Sequence, residues 1–188
     1  MRENRYEKIL SVTGTLITQR GYNGTSFQDI ANEVGIHKST LFHYFKNKEE
    51  LLLRILEKSI DEVNSDLREI AHSIELEPQE KLRKVIDNHL TTMIYKHSDN
   101  VNAYLYELRN LSKKNQRKYL EKRKRYEKHF EKIIAEMKTK GYFNSLDAKI
   151  VVFGLLGMLN WVAKWYKKDG AKSIKDVSNI FYRMITGD

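Results

Sequence analysis

The sequence predicts an all-α protein of about nine helices, and three observations carry that expectation. A single proline interrupts 188 residues, and proline is the main breaker of helices. Apolar residues recur at the i, i+3, i+4, i+7 spacing of one helix face along most of the chain. Glycines and capping residues fall where those runs stop, and no stretch stands out as a strand.

Taken in order, Tyr6, Ile9, Leu10, Thr13, Leu16 and Ile17 mark a first helix that Gly21 ends. Thr25, with Gln28 three residues on, is expected to open a second helix through a capping box. Its apolar face is Phe27, Ile30, Ala31 and Val34; Gly35 turns the chain, and a short third helix is expected from about His37 to Phe45. Asn47 caps a fourth, with Glu49 and Glu50 in the first turn where acids favour the helix dipole. Pro78 suits the first turn of a fifth, lined by Leu82, Val85, Ile86, His89, Leu90, Met93 and Ile94. Further helices are expected over 101–111 and 114–140, then from Asp147 to Gly170, and from Ser173 onward. The last of these is expected to bury Ile174, Val177, Ile180, Phe181, Met184 and Ile185.

Residues 26–45 read SFQDIANEVGIHKSTLFHYF, two short helices joined by a tight turn that contains glycine. That is the helix-turn-helix arrangement, in which a small core fixes the second helix so that its first residues reach base edges in the major groove. Phe27, Ile30, Ala31, Val34, Ile36, Leu41 and Phe45 form the expected core. His37, Lys38, Ser39, Thr40 and His43 are left outside, all able to hydrogen-bond. On patterning alone an ordinary helical hairpin reads equally well.

The stretch from Ile9 to Leu52, with GYNGTSFQDIANEVGIHKSTLFHYFKNKEELL at its heart, resembles the N-terminal domain of TetR-family regulators. The resemblance rests on a long first helix, G-[FY]-x-x-T-[ST], I-A-x-x-[AV]-G-[IV], T-L-x-x-[YH]-F and K-x-K-E-E-L, in order and at the right spacing. It implies a DNA-binding domain over 1–46 and a helical effector-binding and dimerisation domain over 47–188. It also implies double-stranded operator DNA as partner, homodimers, and most commonly a repressor; a cytoplasmic location is expected from the lack of a secretory signal or a bilayer-spanning run. Thr25, Tyr44 and Lys48 match phosphate contacts, and His37, Lys38, Ser39 and Thr40 match the start of the recognition helix. Phe42 stands where a tyrosine is usual, and His37 where Ser or Thr is usual. Each phosphate contact positions the protein rather than specifying sequence.

The later part, with E-L-R-x-L-S, a Tyr- and Phe-bearing basic helix, G-x-F and L-N-W-x-x-x-W-Y, is similar to the TetR-type FadR and sterol-catabolism repressors. That similarity implies an acyl-coenzyme A effector. Residues 101–150 hold 14 Lys/Arg against 6 Asp/Glu, a net of +8 in a chain of +9. Residues 113–132 alone hold ten against three, beside an apolar stripe of Tyr119, Tyr126, Phe130, Ile133, Ile134 and Met137. An apolar interior with a basic mouth would suit an acyl chain with a phosphorylated head. A charged helix face is also commonly just solvated, and non-specific DNA attraction is a further use for it. The expected ligand residues are Tyr104, Arg109, Arg123, Tyr126, Phe130, Trp161 and Trp165. Arg109 reads equally as an internal ion-pair partner, and the tryptophans as core.

The helix from Asp147 has almost no polar face, so both sides need cover. Leu155, Met158 and Phe181 are the expected dimer contacts. Its apolar run, broken by Asn160, is too short to span a bilayer, and the N-terminus shows no secretory signal. With no cysteine there is no disulfide or thiolate zinc site. No H-E-x-x-H, phosphate loop or nucleophile elbow occurs, and the six histidines show no ligand-like pairing with carboxylates. No enzyme, metal or cofactor is therefore expected. A regulator of drug or other hydrophobic-compound responses, and a helical interaction protein without DNA binding, are the competing readings.

Overall fold

The computed structural model describes residues 2–96 and 107–187. Among them are eight α-helices: α1 Arg2–Arg20, α2 Phe27–Val34, α3 Lys38–Phe42, α4 Lys48–His72, α5 Pro78–Thr91, α6 Lys113–Thr139, α7 Ala148–Trp165 and α8 Ile174–Thr186. A π-helical turn, Thr92–Lys96, follows α5, and a 3-10 turn covers Glu107–Asn110. No strand occurs among the described residues. The helix expected over 101–111 lies mostly outside them, and its described part is the 3-10 turn. The chain divides into two compact units, residues 1–60 with 97–122 and residues 61–96 with 123–188.

In the first unit, α1, α2, α3 and the start of α4 enclose one core. Ile9, Leu10, Leu16, Phe27, Ile30, Ala31, Val34, Leu41, Phe45, Leu51 and Ile55 are buried there, with Tyr6, Val12, Ile36 and Tyr44 packed at its rim. Tyr6 stacks on Phe45 at 5.4 Å. The Lys8 ammonium donates to the Val34 carbonyl at 3.0 Å, a cation on the C-terminal end of α2. The cap of α2 falls one residue later than the sequence suggests. Ser26 accepts from the Asp29 amide at 3.1 Å, and Asp29 accepts from the Ser26 amide at 2.8 Å. The Ser26 hydroxyl also donates to Asp29 Oδ2 at 2.6 Å, and that bond first, with the one from the Ser26 amide, holds the exposed Asp29 carboxyl below the usual aspartate range. Gly35 ends α2 at φ +79, where a side chain strains the backbone by about 1–2 kcal/mol. A Cβ there would meet no atom within 4 Å, so backbone strain alone opposes a substitution. Gly35→Ala is expected to lower stability by about 1–2 kcal/mol in a denaturant melt; an unchanged midpoint would show that the turn relaxes.

In the second unit, α5 packs on α8. Arg83 fastens them, its guanidinium 4.0 Å from the Tyr182 ring and donating to Asn179 Oδ1 at 3.1 Å. Leu82, Val85, Ile86 and Leu90 of α5 are buried, as are Phe130, Ile133, Ile134 and Met137 of α6. Val152, Leu155, Leu156, Leu159 and Val162 form the buried face of α7. Buried Lys81 pairs with Glu136 at 2.7 Å, and Lys132 bonds the same carboxylate. Burial pushes Glu136 up, but those two lysines outweigh it and hold the carboxyl below its usual range. Asp147 and Ser173 cap α7 and α8 as expected, accepting from the Ile150 and Asp176 amides.

Two helix faces differ from expectation. Leu155 is 3% exposed within its own unit, so it belongs to that unit's core and not to an outer contact. On α8, Ile174, Val177 and Tyr182 are buried, whereas Ile180 and Met184, expected inside, are exposed. The outer apolar stripe of α7 is Ile150, Phe153, Trp161 and Trp165. Met158 and Phe181 are half-buried.

Candidate nucleic-acid interface and effector site

The α3 helix is one and a half turns long and owes its position to the core beneath it. Leu41 and Phe45 are buried, and Phe42, although exposed, leans on Phe27 at 5.1 Å between ring centres. His37 sits at the N-cap, and its imidazole makes no capping hydrogen bond. His37, Lys38 and Ser39 are exposed and Thr40 half-buried, so the start of α3 presents a polar tip. Lys38 makes no ion pair among the described residues. Tyr44 is half-buried with its ring tilted against Tyr6 at 6.3 Å.

Two expected phosphate contacts have other tasks in this structure. Thr25 is 1% exposed, and its hydroxyl donates to the Gly21 carbonyl at 3.0 Å, so it neither caps α2 nor faces outward. Lys48 donates to the carbonyls of Tyr22 and Thr25 at 2.8 and 2.9 Å, with its ammonium 4.1 Å from the Tyr22 ring centre. Burial lowers its pKa from the ordinary lysine value, and Glu107 acts against that. Lys48 therefore ties the α1–α2 turn to the start of α4. Glu107, the first residue of the E-L-R-x-L-S motif, accepts from the Tyr22 amide at 3.3 Å on the same turn. Glu49 accepts from the Ser112 amide and the Asn115 side chain at 2.8 and 2.6 Å; the Ser112 side chain first, then these two bonds, keep its carboxyl below the usual range against burial.

The expected effector residues separate into three groups. Tyr126 and Phe130 are interior, their rings edge to face at 5.2 Å. Trp161 and Trp165 are not: they are 64% and 45% exposed, on the outer stripe of α7. Arg123 is exposed and held by Glu127 at 3.0 Å, and Arg109 is exposed on the 3-10 turn. Tyr104 lies outside the described residues. Part of the basic excess of α6 is locally neutralised as well, Lys118 binding buried Glu57 at 2.7 Å.

One interior group was legible only in part. His89 of α5 has Nδ1 2.5 Å from the Tyr126 hydroxyl and Nε2 3.2 Å from Asn160 Oδ1. Burial lowers the His89 pKa to about 4, the Asn160 hydrogen bond opposing the shift. The sequence places His89 on the lining face of the fifth helix, and the two bonds occupy both of its ring nitrogens. Asn160 gave one signal, as the polar break in the apolar run of α7.

An exposed polar tip on a short helix, clamped by a second capped helix through a tight glycine turn, defines a helix-turn-helix DNA-binding regulator. The chain belongs to the TetR family: residues 9–55 match the model for bacterial regulatory proteins of the tetR family, and residues 75–187 match the tetracyclin repressor-like C-terminal domain. It is 27% identical over 187 residues to the HTH-type transcriptional repressor KstR2 of Mycolicibacterium smegmatis, covering 98% of this chain and 90% of that one. Among solved structures, it is 28% identical to AibR in complex with isovaleryl coenzyme A and operator DNA, covering 97% and 98% of the two chains at a TM-score of 0.87. The TetR family transcriptional regulator PfmR from Thermus thermophilus is 27% identical, with a TM-score of 0.86 over 95% and 97% of the chains. The family and these relatives are transcriptional regulators, not enzymes.

Proposed function

We propose that this regulator is a repressor that binds operator DNA as a homodimer and releases it on binding an acyl-coenzyme A or similar amphipathic molecule. The exposed tip of α3 carries the first half of this reading. His37, Lys38, Ser39 and Thr40 offer hydrogen-bond donors and acceptors to base edges and phosphates, and Tyr44 offers a hydroxyl beside them. Lys38→Ala is expected to weaken operator binding by about 1–3 kcal/mol, the worth of a good base contact. Tyr44→Phe removes one phosphate contact. Because Lys38 is exposed and Tyr44→Phe keeps the ring, thermal stability should stay near wild type. Gel-shift titration checks both, and wild-type affinity in both variants would mean that α3 is not the reader.

Dimerisation is supported by the uncovered apolar face of the second unit. Ile150, Phe153, Trp161 and Trp165 of α7, with Ile180 and Met184 of α8, are exposed large apolar side chains. Gly154 and Gly157 lie on the same side of α7, and a Cβ at either would meet nothing within 4 Å. A second copy of this face would cover that surface.

The effector class is supported by the interior Tyr126 and Phe130, by the basic composition of α6, and by the relatives. AibR was crystallised with isovaleryl coenzyme A. A fatty acid metabolism regulator protein of Bacillus subtilis is 28% identical over 98 residues, half of this chain. Titrating palmitoyl-coenzyme A, coenzyme A and palmitate by calorimetry, with and without operator, tests the reading. Saturable binding of the thioester that operator weakens, by a coupling of about 1–3 kcal/mol, is expected. No saturable binding, or equal binding of coenzyme A alone, would overturn it.

A further inference from the structure

The polar chain through His89 ends on a donor that no described protein group takes up. With the amide oxygen of Asn160 facing Nε2, that nitrogen must carry the ring proton and donate it, since a carbonyl oxygen only accepts. Nδ1 then accepts from the Tyr126 hydroxyl. The chain therefore runs Tyr126 O–H to His89 Nδ1, and His89 Nε2–H to Asn160 Oδ1, at 2.5 and 3.2 Å. Its end is the Asn160 amide nitrogen, which has two N–H donors and makes no hydrogen bond among the described residues.

Asn160 sits on a helix that is otherwise apolar from Ile150 to Ala163. Its amide oxygen meets His89 of α5, which in turn meets the Tyr126 hydroxyl of α6. His89 and Asn160 keep some accessible surface, although His89 is desolvated enough to stay neutral down to about pH 4. A small polar group can therefore reach the Asn160 amide, while the rest of the chain is shielded: Tyr126 is buried and packs edge to face on Phe130.

We infer that the Asn160 amide, oriented by His89 and Tyr126, donates a hydrogen bond to the carbonyl oxygen of an uncharged acyl ligand, and so selects a thioester over a free carboxylate. The inference rests on the acyl-coenzyme A reading and goes beyond it by assigning the group that recognises the acyl carbon. An ionised carboxylate beside this desolvated imidazole would give up hydration for the two amide donors alone, a poorer exchange than for a neutral carbonyl. A neutral carbonyl needs one or two donors, and the amide has two.

The test compares two ligands that differ at one atom group: palmitoyl-coenzyme A and its thioether analogue, S-hexadecyl-coenzyme A, which keeps tail and head but lacks the carbonyl. Calorimetry on the wild-type protein is expected to show the thioester binding about tenfold more tightly, the worth of one well-placed hydrogen bond. Asn160→Leu should remove that preference while still binding the thioether, and Tyr126→Phe, which loosens the orienting chain, should reduce it. Equal affinity of the two ligands for wild type would overturn this inference and leave the acyl-coenzyme A reading standing. A full preference retained in a folded Asn160→Leu would overturn it too. Saturable binding of neither ligand would overturn that broader reading and this inference together. The wild-type comparison decides the matter even where a variant fails to fold.

Discussion

Trp161→Arg is expected to give a folded monomer whose operator affinity is about 100-fold or more below wild type. The side chain is 64% exposed, so its replacement removes little packing from its own unit. In a dimer built on α7 and α8 the same change puts a charge into an apolar contact without a partner. Two reading heads then bind independently, and the avidity of a linked pair, commonly two to four orders of magnitude, is lost. Geometry reinforces this, because helix-turn-helix dimers hold their recognition helices about 34–36 Å apart to match successive major grooves. Sedimentation and gel-shift titration of the same preparation check both halves. Leu155→Arg makes the contrast: at 3% exposure it should unfold the second unit rather than separate two folded copies. A Trp161→Arg protein that sediments as the wild-type dimer would remove this stripe from the interface.

Acid should destabilise the protein through His89, by about 3 kcal/mol between neutral pH and pH 4. The folded value of about 4 lies below the ordinary 6.5. Above pH 6.5 the imidazole is neutral in both states, and the stability that it allows is fully present. As pH falls, the unfolded chain takes up a proton that the native site refuses, so stability declines from about 6.5 until the native ring itself titrates near 4. About 2.5 units at 1.36 kcal/mol each give that magnitude. His129 is also lowered, by burial first and then by His72 and Arg68, and contributes in the same direction. The His89 share is therefore read as the difference between wild type and His89→Gln, from urea midpoints at several pH values and one protein concentration. Parallel pH profiles for the two proteins would refute it.

The helix-turn-helix was open to reading because two signals agree on it. Phe27, Ile30, Ala31 and Val34 mark one face of α2, and Gly35 takes the left-handed backbone at the turn. What remained outside, His37, Lys38 and Ser39, is exposed in the structure. Asn47, Pro78, Asp147 and Ser173 likewise mark the starts of four helices through local chemistry that involves only three or four neighbouring residues. The cap of α2 was harder, since Thr25 and Ser26 are adjacent and both carry hydroxyls. Burial of Thr25 against the Gly21 carbonyl decides for Ser26.

From the sequence alone follow the helical class and the order of the described helices, because capping and periodicity are local properties of a chain; the resemblance to TetR regulators, and not the patterning, singled out the short third helix as the expected DNA reader. Tertiary structure decided which side of α7 is core and which is free. A helix that is apolar all round carries no polar face to orient it, so packing within its own unit assigns Leu155 inward and Trp161 outward. It also decided that Lys48 spends two donors on the carbonyls of Tyr22 and Thr25. The same folding brought His89, Tyr126 and Asn160 together from three helices. Those pairs are 37 and 71 residues apart, and no spacing rule links side chains that meet only when separate helices pack.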